Sequence, residues 1–142
     1  LNLRIDKCIN KEEIESVLFE KGTKEFLFDK DINELDLLSC NSIGVYFVGM
    51  YVDDKICGIA AVKKITDREC VVDLAIRKVY RGKVAIDICK LCVSFIFDKL
   101  SCDRILGMVR SDNKKCIFFL KMLGFNMFKK SDNYFFFEFF NK

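Results

Sequence analysis

Two short stretches of this 142-residue chain gather residue types that can hold an anion. The first reads Leu74-Ala75-Ile76-Arg77-Lys78-Val79-Tyr80-Arg81-Gly82-Lys83-Val84-Ala85. An apolar strand pattern ends, a basic turn with a glycine follows, and a helical pattern begins. A helix start offers backbone N–H groups without intrahelical partners and the positive end of the peptide dipole. Gly82 lets the backbone approach an anion closely, and Arg81 and Lys83 add charge. Phosphate or pyrophosphate suits such a place. An ordinary helix start with solvated basic side chains fits the same residues. The second stretch runs from Asn113 to Phe125. It opens on an asparagine suited to an N-cap and closes on Gly124, a helix-stop glycine. Just before the first stretch, Asp73 stands as a carboxylate inside an otherwise apolar strand, where a solvent-facing position or an ion pair with Arg77 would also explain it.

Composition removes several chemistries. The chain has no histidine, which excludes Ser-His-Asp and Cys-His catalysis and the common histidine-containing zinc sites. The 24 basic residues exceed the 21 acidic ones by only three, too little for a general nucleic-acid binder. No apolar run reaches the ~18–20 residues of a membrane span, so neither nucleic acid nor membrane is an expected partner. The amino end, charged almost at once, does not read as a signal peptide. The eight cysteines are irregularly spaced and fit reduced core thiols in a cytoplasmic protein. No metal is expected. Cys89-x-x-Cys92 allows a thiol-redox reading, but it falls in the middle of a helix rather than at its start, where the dipole would activate it.

The elements that must position these residues follow from periodicity. At this length one domain is expected, spanning residues 1–142. Leu3–Ile9 reads as a strand. Asn10 with Glu13 forms a capping-box pattern before a helix through Ile14, Val17 and Leu18. A short helix follows at Asp31–Leu38. Val45–Val52, Ile56–Ile65 and Glu69–Arg77 alternate as a three-strand antiparallel meander, with Asp53-Asp54-Lys55 as its first turn. A long helix covers Val84–Leu100, with apolar positions three and four apart. Then come a strand at Asp103–Arg110, a helix at Asn113–Leu123, and two strands at Phe125–Phe128 and Tyr134–Phe140. The fold class is mixed α/β: antiparallel strands first, then a strand-helix-strand crossover.

This order, together with the two stretches, resembles the GNAT superfamily of acyl-CoA N-acyltransferases. The family's loop reads roughly Val-x-Pro-x-Tyr-Arg-Gly-Lys-Gly-x-Gly, matched here by Ile76, Tyr80, Arg81, Gly82 and Lys83. Its later helix reads roughly Asn-x-x-Ala-x-x-x-Tyr-x-x-x-Gly-Phe, matched by Asn113, Gly124 and Phe125, with Cys116 in the alanine place. The form Arg-Gly-Lys-x-Ala also looks like the short variant of many phage-encoded members. The resemblance implies a central, mostly antiparallel sheet with a splayed parallel strand pair flanked by helices. It implies acetyl-CoA as co-substrate, lying between the strand ending near Arg77 and the strand Asp103–Arg110. The main chain of Leu74, Ala75 and Ile76 would pair with the pantetheine arm, and amides of Arg81, Gly82, Lys83, Val84 and Ala85 would hold the pyrophosphate. Asn113 and Cys116 would contact the cofactor.

The implied reaction moves an acetyl group to a primary amine by direct attack in a ternary complex. Asp73 is the residue expected to remove the proton, with Glu69 second. The acceptor (a small molecule, a peptide N-terminus or a lysine) would meet Lys11–Leu38 and Phe125–Phe140, where Asp29, Asp31, Glu34 and Asp36 could attract a cation. The protein would act as a monomer or homodimer. Two departures stand out. Val84 and Ile86 occupy glycine places of the longer loop, and Leu120 replaces the tyrosine that in many members protonates the leaving thiolate. They support an alternative: a catalytically weak or inactive GNAT-like binding or structural protein.

Overall fold

A computed structural model describes residues 1–8, 10–18 and 45–141. The expected helix at Asp31–Leu38 and the carboxylates Asp29, Asp31, Glu34 and Asp36 lie outside them. The described elements are β1 (Leu3–Lys7), α1 (Lys11–Leu18), β2 (Val45–Val52), β3 (Lys55–Lys64) and β4 (Glu69–Ile76). After a 3₁₀ turn at Lys78–Tyr80 come α2 (Lys83–Leu100), β5 (Arg104–Arg110), α3 (Lys114–Leu123), β6 (Asn126–Lys130) and β7 (Tyr134–Phe140). The order matches the one read from periodicity, with ends displaced by one or two residues. The first strand stops at Lys7, two residues short of the expected Ile9.

Local chemistry explains the boundaries. Asp53 and Asp54 both take positive φ, 48° and 65°, the double left-handed step of a two-residue hairpin between β2 and β3. Asn10 caps α1 by accepting from the Glu13 amide at 3.1 Å. The capping box is completed on one side only, because the Glu13 carboxylate instead accepts from the Tyr51 hydroxyl at 3.3 Å. Gly124, at φ 103°, ends α3 with its own N–H on the Lys121 carbonyl and the Phe125 N–H on that of Leu120.

The strands form one sheet in the order β1-β2-β3-β4-β5-β7-β6. Every neighbouring pair is antiparallel except β4–β5. Side chains alternate across the sheet. Cys70, Val72 and Ile76 of β4 and Ile105 and Val109 of β5 join a core with Ile88, Cys92 and Ile96 of α2 and Leu120 and Leu123 of α3. On the opposite face, Phe47, Ile59 and Ala75 pack with Ile14 and Val17 of α1. Phe135 and Phe137 pack on the first face, so the aromatic run of β7 is only in part the doubly covered strand its composition suggests.

The β4–β5 ladder is short. Glu69 pairs with Arg104, Cys70 with Ile105 and Val71 with Leu106, and there the pairing ends. A Cβ at Gly107 would still lie 3.9 Å from the Val72 carbonyl oxygen, and beyond that row no residue of β4 has a ladder partner on β5. Arg104 clamps the closed end. It reaches Glu69 on β4 at 2.7 Å and Glu138 on β7 at 2.5 Å, and lies over the Phe128 and Phe140 rings. Arg104→Ala leaves two carboxylates facing without their cation. A loss of about 1–2 kcal/mol is expected, more than for an exposed surface pair and less than for a fully buried one. Urea unfolding with an unchanged m-value checks it.

Candidate active site

Where the ladder stops, the C-terminal halves of β4 and β5 leave an opening with no strand pairing across it. Because these strands are parallel, the helices that follow both begin near its mouth: α2 after a six-residue connection from β4, α3 after a three-residue turn from β5. Two positive dipole ends therefore face one region.

The β4 main chain faces this opening in a defined pattern. The Arg77 N–H donates to the Cys57 carbonyl at 2.7 Å, which fixes the phase of the β3–β4 ladder. Alternation then turns the N–H and C=O of Ala75 toward Ile59 on β3 and those of Leu74 and Ile76 toward the opening. Beyond Val71 no β5 residue pairs with them. Of the three residues expected to pair with an extended ligand, Leu74 and Ile76 thus present main-chain groups, and Ala75 spends its own on β3. The Ile76 carbonyl also accepts from Arg81 Nε at 3.2 Å, which draws the basic turn against the strand end.

Gly82 stands at the start of α2 with φ 127° and ψ −145°, a region essentially confined to glycine. Nothing lies within 4 Å of where a Cβ would be. Lys83, Val84 and Ala85 form the first turn of α2, and the first intrahelical bond of this turn runs from the Ile86 N–H to the Gly82 carbonyl at 3.2 Å. The amides of Lys83, Val84 and Ala85 precede it and have no intrahelical acceptor. Val84 is helical, as its branched side chain requires. The Arg81 amide is already engaged, donating to the Lys78 carbonyl at 3.3 Å. The room and the donors fit a pyrophosphate held by Gly82 through Ala85, with Arg81 contributing through the turn it braces.

Asp73 alternates with Ala75 and so shares the α1 face of the sheet. It is half-buried, and burial pushes its carboxyl up to about 6. The expected alternative, an ion pair with Arg77, is not formed among the described residues. Cys116, in the first turn of α3, lies close enough that the Asp73 charge adds to burial in pushing its thiol up to about 11. Glu69, the second candidate base, is tied to Arg104 at the closed end. Asn113 is the buried cap of α3, its Oδ1 accepting from the Cys116 amide at 3.2 Å. That leaves the side-chain NH₂ as a donor. Sequence reasoning did not find the Arg104 clamp, because its partners are remote in the chain and only the strand register joins them.

The profile of the acetyltransferase (GNAT) domain matches residues 7–139. The chain belongs to the GNAT family. No curated protein matches the sequence. Solved GNAT structures share the fold. The N-acetyltransferase PseH of Campylobacter jejuni, in complex with acetyl coenzyme A, superposes with TM-score 0.76 at 15% identity, covering 99% of this chain and 100% of that one. The spermidine N-acetyltransferase of Vibrio cholerae, with CoA and spermine, gives 0.80 at 12% identity over 97% and 95%. The PaiA N-acetyltransferase of Thermoplasma acidophilum, with coenzyme A, gives 0.76 at 16% over 99% and 100%. The expected mixed α/β architecture with its single parallel pair is thus the GNAT fold, and acyl transfer is the general chemistry of its family.

Within this GNAT domain, Leu120 of α3 is buried in the core beneath the opening. Cys89 and Cys92 are buried on α2, and burial pushes Cys92 up to about 12 and Cys89 well above its ordinary value. A redox dithiol needs the opposite shift. The described cysteines are all free thiols, and all but Cys116 are buried. Among the described residues no helix is long and apolar enough to cross a membrane.

The Asn113 cap supplies a prediction. Asn113→Ala removes the acceptor for the Cys116 amide, so stability falls by about 1 kcal/mol. The cofactor contact expected of Asn113 adds a second readout, a fall in CoA affinity by calorimetry. A residue acting as a cap alone would lower stability only.

Proposed function

We propose that this protein transfers the acetyl group of acetyl-CoA to a primary amine by direct attack in a ternary complex, through a single domain of residues 1–142. The observation that carries the reading is the main chain of Leu74 and Ile76, which turns toward β5 without a strand partner there, with the start of α2 at the mouth. Leu74 and Ile76 take the pantetheine arm as a strand would. The amides from Gly82 to Ala85 take the pyrophosphate, and Asn113 and the Cys116 edge of α3 close the other side.

Asp73, ionised above about pH 6, accepts a proton from the incoming ammonium directly or through one water. The freed amine attacks the thioester carbonyl carbon. The C–N bond forms, the C–S bond breaks, and the electron pair leaves on sulfur. Gap-side amides of β4 face the developing oxyanion. Leu120 has no proton to give, so the thiolate leaves as such, and the second proton, shed by the attacking nitrogen as the amide forms, reaches the sulfur through water. A thiol near pKa ~8.5 makes this tolerable. Holding both reactants in one geometry supplies much of the acceleration.

Calorimetry with acetyl-CoA, followed by mass spectrometry over a panel of primary amines, tests the proposal. Saturable binding and a product 42 Da heavier are expected, the mass gain of one acetyl for one hydrogen (~42 Da). No binding at millimolar cofactor removes the enzyme reading. The buried Leu120 favours a second reading, a binding module, which cofactor binding without any acetylated amine would establish.

A further inference from the structure

The sheet face that carries Asp73 continues across the opening. Val71 of β4 pairs with Leu106 of β5 on this face. Two residues on, the same face carries Asp73 on β4 and Met108 on β5, one on each lip. Met108 in turn pairs with Phe136 of β7. The lips are thus unlike: a carboxylate on one side, and on the other an apolar pair with Met108 half exposed and Phe136 partly so. Val71 and Leu106 close the row beneath them.

Other carboxylates near this face are already engaged. Glu69 and Glu138 hold Arg104. On α1, Glu13 accepts from Tyr51, and Glu15 lies 3.9 Å from Lys11. Asp112, at the far end of β5, lies 3.4 Å from Arg110. Among the described residues, then, the lips offer one uncommitted carboxylate and a surface that gains by covering apolar carbon.

Resting on the transferase reading above, we propose that the acceptor is a monocationic primary amine with an apolar or aromatic group close to its nitrogen, seated with the ammonium toward Asp73 and the apolar group on Met108 and Phe136. A polycationic amine places its second charge against Met108 and beside Lys129, whose Nζ lies over the Phe136 ring at 5.3 Å, where it loses water and meets a like charge. Burying one aromatic group on such a lip is a difference of about tenfold or more in specificity.

Steady-state acetylation of 2-phenylethylamine and of spermidine tests this. The arylalkyl amine is expected to show kcat/KM at least about tenfold higher. Met108→Asp removes that advantage, chiefly through KM, while CoA affinity by calorimetry stays unchanged; Met108→Leu retains it. Met108 is half exposed, so the variants fold, and Phe136→Thr provides a second reading of the same lip. Preference for spermidine, or a Met108→Asp enzyme with unchanged selectivity, overturns this inference and leaves the transferase reading standing. Acetylation of neither amine nor any other in the panel overturns both.

Discussion

Asp73→Asn lowers kcat by about 10²–10⁴-fold, the range associated with a positioned general base, and leaves CoA affinity nearly intact. The wild-type enzyme gains activity as pH rises through about 6, where the carboxyl ionises, and the variant loses that limb. The charged or titratable neighbour across the opening, Cys116, stays a neutral thiol throughout, since it is pushed up to about 11. Stability moves the other way. The folded carboxyl binds its proton more tightly than an unfolded aspartate does. Its contribution is therefore fully present below about pH 4 and is lost as pH rises through about 6. Above that the charged, half-buried carboxylate costs about 1–2 kcal/mol after allowance for its partial exposure. Asp73→Asn is consequently more stable than wild type at pH 8 and gains nothing at pH 4, as urea unfolding at the two pH values would show. A variant that fails to fold would mean that Asp73 is structural, and the base assignment would fall.

Gly82→Glu abolishes measurable CoA binding, a loss of at least about a hundredfold, because it sets a negative charge and bulk where the diphosphate rests. Part of the change is backbone strain. At φ 127° and ψ −145° any other residue costs about 1–3 kcal/mol. Gly82→Ala separates the two effects. No atom within 4 Å opposes its Cβ, so it carries the strain without the charge. Both variants should lose similar stability by thermal unfolding, and the glutamate variant should lose far more affinity by calorimetry. Equal affinities would mean that Gly82 shapes the turn and nothing more.

Much of the scaffold was legible because it depends on local patterns. Alternation located β2, β3 and β4, the Asp53-Asp54 pair marked a hairpin, and Asn113 and Gly124 bracket α3 as cap and stop. The divergence of β4 from β5 was implied by family resemblance and by no residue pattern, because where a parallel ladder ends depends on what its two crossover helices permit. Main-chain phase was equally hidden. Leu74, Ala75 and Ile76 look interchangeable in a sequence, yet the β3 register commits Ala75 to Ile59 and frees its neighbours. Glu69 reads as a second candidate base, yet Arg104, distant in the chain, engages its carboxylate. The half-formed capping box at Asn10 fails for the same reason: Tyr51, a tertiary neighbour, takes the Glu13 carboxylate.

A crystal structure of the protein with coenzyme A bound tests the central claim most directly. The account predicts the pantetheine arm along β4, hydrogen-bonded to the main chains of Leu74 and Ile76, with the diphosphate on the amides of Gly82 through Ala85 and the thiol end near Asp73 and Cys116. Coenzyme bound elsewhere, or β4 and β5 drawn together over that length with the ligand excluded, would contradict it.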